Sequence, residues 1–403
     1  MTENSSSLGL TTRFLLISIL ISGLSFIWTL TLSERFGLTE EKATNIVPNY
    51  IFNADSMLWI NRVSDPEWHE NSVSHPLRVY TWYPLARAIS TVSGRDGLTT
   101  AVYLNAFCVA SAIFFLSMMA SKFISPLSLI PFAAITLLGS SFAILAAVDH
   151  FSFSFMLMSA MLLIVSKTYS SYRFLLLCLL GLLLAGTTVT NSVFVILTLT
   201  IYAKWYRFIN LQLLKKNITS LALVTAILLV VGYFGFEESI VRLINGESKI
   251  LKYFHFWIIS DPLRALFSFL IMPVLPLVAP TASLTNGIIS LEPLVPNVLY
   301  NVFYSIAVIS SWYLLTIAIK AVFAHRENRP ELLVSALWLL FNAIFHNFWG
   351  DELLLFTPHF MAALFTLLAL GTTTVKTSWP IVFAILLIFV QQLFFWQELA
   401  KII

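Results

Sequence analysis

"LTTAVYLNAFCVASAIFFLSMMA", residues Leu98 to Ala120, contains no charged side chain. A helix rises about 1.5 Å per residue, so one of this length outruns the roughly 30 Å hydrocarbon core of a bilayer. The stretch therefore reads as a membrane span, and the rest of the chain repeats its character. Of 403 residues, 58% are hydrophobic and 11% charged, where a soluble domain carries roughly 25% charged residues. That balance excludes a soluble globule and predicts an all-α polytopic membrane protein, one integral domain over residues 1–403. About eleven transmembrane helices are expected, near 14–32, 98–120, 124–145, 151–166, 174–189, 192–203, 218–236, 299–319, 332–348, 360–375 and 379–396. The first, Phe14 to Leu32, is too long for a signal-peptide core and lacks a small-x-small cleavage site, so it reads as a retained anchor. The two cysteines, Cys108 and Cys178, lie in apolar runs and read as packing residues.

Orientation follows from the basic residues, because cytoplasmic connections carry an excess of Lys and Arg. With the amino terminus inside, the inner connections hold Arg13, Lys122, Lys167, Arg173, Lys204, Arg207, Lys215, Lys216, Lys320, Arg326, Arg329 and Lys376. Only Glu3, Glu327 and Glu331 accompany them there. The expected location is thus the cytoplasmic (inner) membrane, with the amino terminus cytoplasmic. The run "ALFSFLIMPVLPLV", residues 265–278, is short and carries two prolines. It reads as a re-entrant or interfacial element inside a large outer region, 237–298.

On this topology the chemistry gathers on the outer face. The first outer loop, 33–97, supplies Asp55, Arg62, Asp65, Glu67, His69, Glu70, His75, Arg78 and Arg87. Asp149 and His150 follow at the next outer turn, then Asn191. The large outer region adds Arg242, Lys252 and Arg264, and the last outer turn His346, Asp351, Glu352 and His359. Ionisable groups at a membrane boundary tend to line cavities and substrate paths. In the first loop, Asp55, Trp59 and Arg62 share a face of one expected surface helix. Ser74 is placed to cap a second, in which Arg78 and Trp82 share a face until Pro84 interrupts it. Trp59, Trp68, Trp82 and Tyr83 also suit plain interfacial anchoring. No Walker A, GxSxG, HExxH or GxGxxG pattern occurs, which leaves nucleotide-driven transport, serine hydrolase and zincin chemistry without support.

Two segments carry a resemblance. Asp55 followed some twenty residues later by "HPLRVYTWYPL" (75–85), together with the outer turn "FHNFWGDELLLFTPHF" (345–360), resembles the GT-C superfamily of polyprenyl-phosphate-dependent glycosyltransferases. That superfamily includes the protein O-mannosyltransferases and the lipid A aminoarabinose transferases. The chain differs in that Ser56, not a second acid, follows Asp55, and no WWDYG motif is present. The resemblance implies transfer of a sugar from a polyprenyl-phosphate donor to a hydroxyl on a cell-envelope glycan or lipid-linked acceptor, with membrane lipid and no nucleic acid as surroundings.

It also implies Asp55 as the base, with Asp65 the alternative, since a carboxylate there draws the hydroxyl proton. Arg62 and Arg78, with Arg242, Lys252 and Arg264, are the phosphate candidates, because positioned cations stabilise a departing phosphate. His75, Glu352 and His359 are candidates to line the substrate pocket. No cofactor is demanded, although His69 with Glu67, Glu70 or Asp65 offers donors for a divalent metal. An O-antigen polymerase or ligase, and a lipid or solute transporter, are the competing readings.

Overall fold

The structure, a computed structural model, describes residues 3–38, 52, 54, 56, 59–60, 75, 77–121, 123–125, 128–168, 170–205, 261–285, 288–292, 298–325, 329–348, 356–371 and 379–403. In chain order its helices are α1 (Glu3–Arg35), α2 (Arg78–Ser93), α3 (Gly97–Ala120), α4 (Leu129–Leu138), α5 (Ser140–Ala146), α6 (His150–Val165) and α7 (Ser171–Thr187). After a 3-10 turn at Val189–Asn191 come α8 (Ser192–Trp205) and α9 (Pro262–Ile271). A second 3-10 turn, Met272–Val274, leads to strands β1 (Thr281–Thr285) and β2 (Ile288–Glu292). The chain ends in α10 (Val298–His325), α11 (Pro330–Phe345), α12 (Pro358–Gly371) and α13 (Trp379–Ala400). The architecture is a helical bundle of membrane type.

Every expected span coincides with a helix, or with two for 124–145, except 218–236, which lies outside the described residues. Among the described residues, fewer of them have spanning length than the expected eleven. Thr11–Arg35, Gly97–Ala120, Val298–Ala324 and Trp379–Ala400 are long and apolar enough to cross a bilayer. The pair α5 and α6, bent by 116° at a short break, makes a fifth if it counts as one broken span. The remaining apolar helices, Ser171–Thr187, Ser192–Ala203, Pro330–Phe345 and Pro358–Ala369, fall short, since at about 1.5 Å per residue each is under the roughly 30 Å core.

α1 is patterned inside out. Its inward positions Ser18, Ser25, Thr29 and Ser33 are 0% exposed, while Leu16, Leu20 and Ile27 are 61%, 62% and 61% exposed. Small side chains let helix backbones approach closely where the surroundings are as apolar as leucine. α1 accordingly packs against α3. Polar bonds fasten neighbouring elements: Ser33 Oγ donates to the Ala146 carbonyl (2.7 Å) and Asn105 Nδ2 to that of Leu145 (2.7 Å). α3 begins on Asp96, whose carboxylate accepts from the Thr99 amide (2.6 Å) and hydroxyl (2.8 Å). The Thr99 amide, first among these contacts, holds the Asp96 carboxyl below its ordinary range.

The segment 265–278 is not one helix. α9 stops at Ile271, and the backbone beyond it is irregular and buried. Freed carbonyls inside an apolar protein need partners. Gln392 Nε2 donates to Leu277 O (2.6 Å), Gln391 Nε2 to Ala279 O (2.6 Å), Ser140 Oγ to Leu275 O (2.8 Å) and Trp312 Nε1 to Leu270 O (2.5 Å). An antiparallel hairpin follows, Thr281 opposite Glu292 through Thr285 opposite Ile288, which the all-helical expectation did not include. The first loop joins this hairpin. Phe52, in the left-handed region at φ 51°, donates its amide to Ile289 O at 2.7 Å.

Consecutive helices joined by short connections run antiparallel, so the chain's polar turns sort to two ends. At one end Arg329 lies over the Phe123 ring at 4.3 Å, bringing the α10–α11 connection beside the end of α3. The other end carries the break between α5 and α6, the α7–α8 turn, the α11–α12 turn and the described part of the first loop.

Candidate functional site

The site is built on a glycine. Gly186, near the end of α7, accepts the Leu77 amide at 2.8 Å, and the neighbouring Thr187 carbonyl accepts from His75 Nδ1 at 2.8 Å. A Cβ on Gly186 would stand 2.2 Å from Leu77 Cδ1 and 2.6 Å from Leu77 Cβ. Residues 75 and 77 therefore lie directly on the helix because position 186 has no side chain. The contact fixes the start of α2. That helix begins at Arg78 on Leu77, without a side-chain cap, so the expected Ser74 cap is not its N-cap. It also runs through Pro84 to Ser93. Proline removes one backbone donor, but buried Trp82, Tyr83 and Ala86 hold the helix across it.

Three imidazoles meet beside this strap. The His75 and His150 rings are 4.5 Å apart, and the His150 and His359 rings 6.0 Å. Trp59 stacks on His150 at 5.8 Å and 28°, and meets Trp82 and Tyr83 edge-on at 5.9 Å. Phe151 closes the far side, 4.1 Å from His150 and 5.1 Å from His359. Trp59, Trp82 and Tyr83 are buried in this cluster rather than exposed on the surface of the bundle.

Each imidazole is held differently. Asp149 sits in extended conformation as the N-cap of α6. One carboxylate oxygen, Oδ1, accepts both the His150 amide (2.6 Å) and His150 Nδ1 (2.5 Å). Donation from Nδ1 leaves the lone pair on Nε2. His75 is fixed in the same sense by the Thr187 carbonyl. His359 follows Pro358 at the start of α12, where Thr357 accepts from Ser141 (2.7 Å) and the His359 carbonyl accepts from Trp338 (2.8 Å). Its ring Nδ1 is buried and has no hydrogen-bond partner among the described residues. Nearby, Asn191 Nδ2 ties the α7–α8 turn to Ser154 (3.1 Å), and His346 stacks on Phe356 at 4.4 Å.

Of the residues expected at the site, His75 and His359 come together, bridged by His150. Arg78 opens α2 three residues after His75, and Arg264 lies in α9; only their backbone positions are described. Asp55, Arg62, Asp65, Arg242, Lys252 and Glu352 lie outside the described residues, as do Glu67, His69 and Glu70 of the metal expectation. Among the described residues no group of three His, Cys, Asp or Glu is arranged to hold a metal ion. The sequence places Asp149 and His150 at an outer turn but gives them no role at the site. Their signal was an acid and an imidazole adjacent at the start of an apolar run. Compared with family models, with curated proteins and with solved structures, the chain finds no match.

Proposed function

We propose that this protein is a membrane glycosyltransferase of GT-C type, moving a sugar from a polyprenyl phosphate to the hydroxyl of an envelope glycan or lipid-linked oligosaccharide. The observation that carries the reading is the meeting of Trp59 and His75, from the first loop, with Asp149, His150 and His359 at one end of an apolar helical bundle. Buried aromatic faces suit a sugar ring, and tethered imidazoles suit proton transfer beside it. In this reading the end bearing the cluster faces away from the cytoplasm, as the basic connections elsewhere require. The bundle then crosses the inner membrane about eleven times, with residues 265–278 re-entering rather than spanning. Arg62, Arg78, Arg242, Lys252 and Arg264 are the cations proposed for the lipid phosphate, and Glu352 joins His75 and His359 at the substrate. Asp55, with Asp65 as the alternative, is the carboxylate that the GT-C resemblance offers as proton acceptor.

The test is mass spectrometry of envelope glycans from cells with and without the protein. Loss of one sugar-sized unit is the expected result, and loss of long polymer with intact repeat units points instead to a polymerase or ligase. A second reading, a lipid or solute carrier, draws on the 116° break between α5 and α6, because broken helices build transporter sites. Loss of the glycan as a whole, with its complete lipid-linked precursor accumulating on the cytoplasmic side, would favour it.

A further inference from the structure

We infer that the proton acceptor of this transfer is the His150 imidazole, through Nε2, in place of the Asp55 or Asp65 carboxylate that the resemblance offers, with the Asp149 carboxylate holding it in place; the inference rests on the glycosyl-transfer reading above. As N-cap, Asp149 Oδ1 accepts the His150 backbone amide at 2.6 Å, a bond of the capping kind. The same oxygen also takes the ring Nδ1–H at 2.5 Å, a bond capping does not require. It sets the tautomer and turns the basic nitrogen away from the carboxylate. A carboxylate in that place also stabilises the imidazolium that forms when Nε2 takes a proton.

A second observation points to a ligand at the same place. His359 is 5% exposed, its ring lies 6.0 Å from that of His150, and its Nδ1 has no partner among the described residues. A buried polar atom without a partner is costly unless something else supplies the bond. An acceptor hydroxyl between the rings would supply it. The titratable groups facing His150 among the described residues are Asp149, His75 from the first loop and His359 from α12.

In the step, the acceptor oxygen attacks the anomeric carbon. A new carbon–oxygen bond forms as the bond from that carbon to the phosphate oxygen breaks, and its electron pair leaves with the polyprenyl phosphate. The hydroxyl proton passes to His150 Nε2 and from there to water. General-base assistance of this kind contributes about 10²- to 10⁴-fold in rate.

The experiment adds purified full-length protein to membranes from cells lacking it, which supply endogenous donor and acceptor. The initial rate of product formation is followed by mass spectrometry across a pH series, and melting temperature is measured alongside. His150→Gln is expected to melt like the wild type and to lose about 100-fold or more in rate. Asp149→Asn keeps a capping oxygen, and its acidic limb is expected to move to lower pH, because the imidazolium loses its counter-charge. A His150→Gln rate within threefold of wild type overturns the inference. If that variant fails to fold, an unmoved acidic limb in Asp149→Asn overturns it. No product with the wild-type protein sinks the glycosyl-transfer reading itself, and the assignment of His150 with it.

Discussion

Replacing Gly186 by alanine sets two effects of opposite sign against each other. Alanine favours a helix interior over glycine by about 1 kcal/mol, so in open space the change stabilises. Here the new methyl would lie 2.2 to 2.6 Å from the Leu77 side chain, including its Cβ, which cannot swing aside without the backbone. Overpacking of this kind costs about 1 to 3 kcal/mol, so the clash wins and the variant is destabilised. Unfolding in mixed detergent micelles measures it, with Gly23→Ala as the control, since nothing lies within 4 Å of a Cβ there. Leu77→Gly removes the obstructing atoms, so the Gly186→Ala and Leu77→Gly double variant should be more stable than the sum of the singles predicts, by about 1 to 3 kcal/mol. Simple additivity, or a Gly186→Ala protein at least as stable as wild type, would refute the idea that position 186 seats residues 75 and 77.

Removing the cap with Asp96→Ala should cost about 1 kcal/mol by the same unfolding measurement. Because the folded state holds the Asp96 carboxyl below its ordinary value of 3.8, its contribution is full above that pH and fades as the pH falls through the folded-state value. Acid titrations of wild type and Asp96→Asn should therefore converge at the low end, and parallel curves would contradict the assignment. Gln391→Leu and Gln392→Leu each strand a buried carbonyl, at Ala279 and Leu277, and should each cost about 1 to 3 kcal/mol. A loss below about 0.5 kcal/mol would mean that those carbonyls find other partners.

The helices were legible because charge-free length leaves little choice of structure: the expected span 98–120 is α3, Gly97–Ala120. The hairpin was legible too, in hindsight, since Asn286-Gly287 between alternating residues is a strong short-range hairpin signal. It was passed over because residues 237–298 read as one large outer region in which only the run 265–278 was given a structure. Pro84 misled for a different reason, because a local rule about a missing donor yields to the burial of Trp82, Tyr83 and Ala86 around it. The site was half legible. His75 and His359 stood out by their segments, whereas His150 looked like one more boundary residue. What distinguishes it is its distance to rings 75 and 209 positions away in sequence, and no local pattern encodes that.

The hydroxyls of α1 bear on how the protein is assembled. Ser25 donates to the Ser22 carbonyl and Thr29 to that of Ser25, so these groups are satisfied within the helix itself. A nascent α1 leaving the ribosome can enter lipid and wait with that part of its polar load already settled. Ser33 cannot, because its acceptor, the Ala146 carbonyl, is synthesised 113 residues later. The bond that ties Ser33 to α5 thus forms only after Ala146 has been made, although α3, against which α1 also packs, is complete before then.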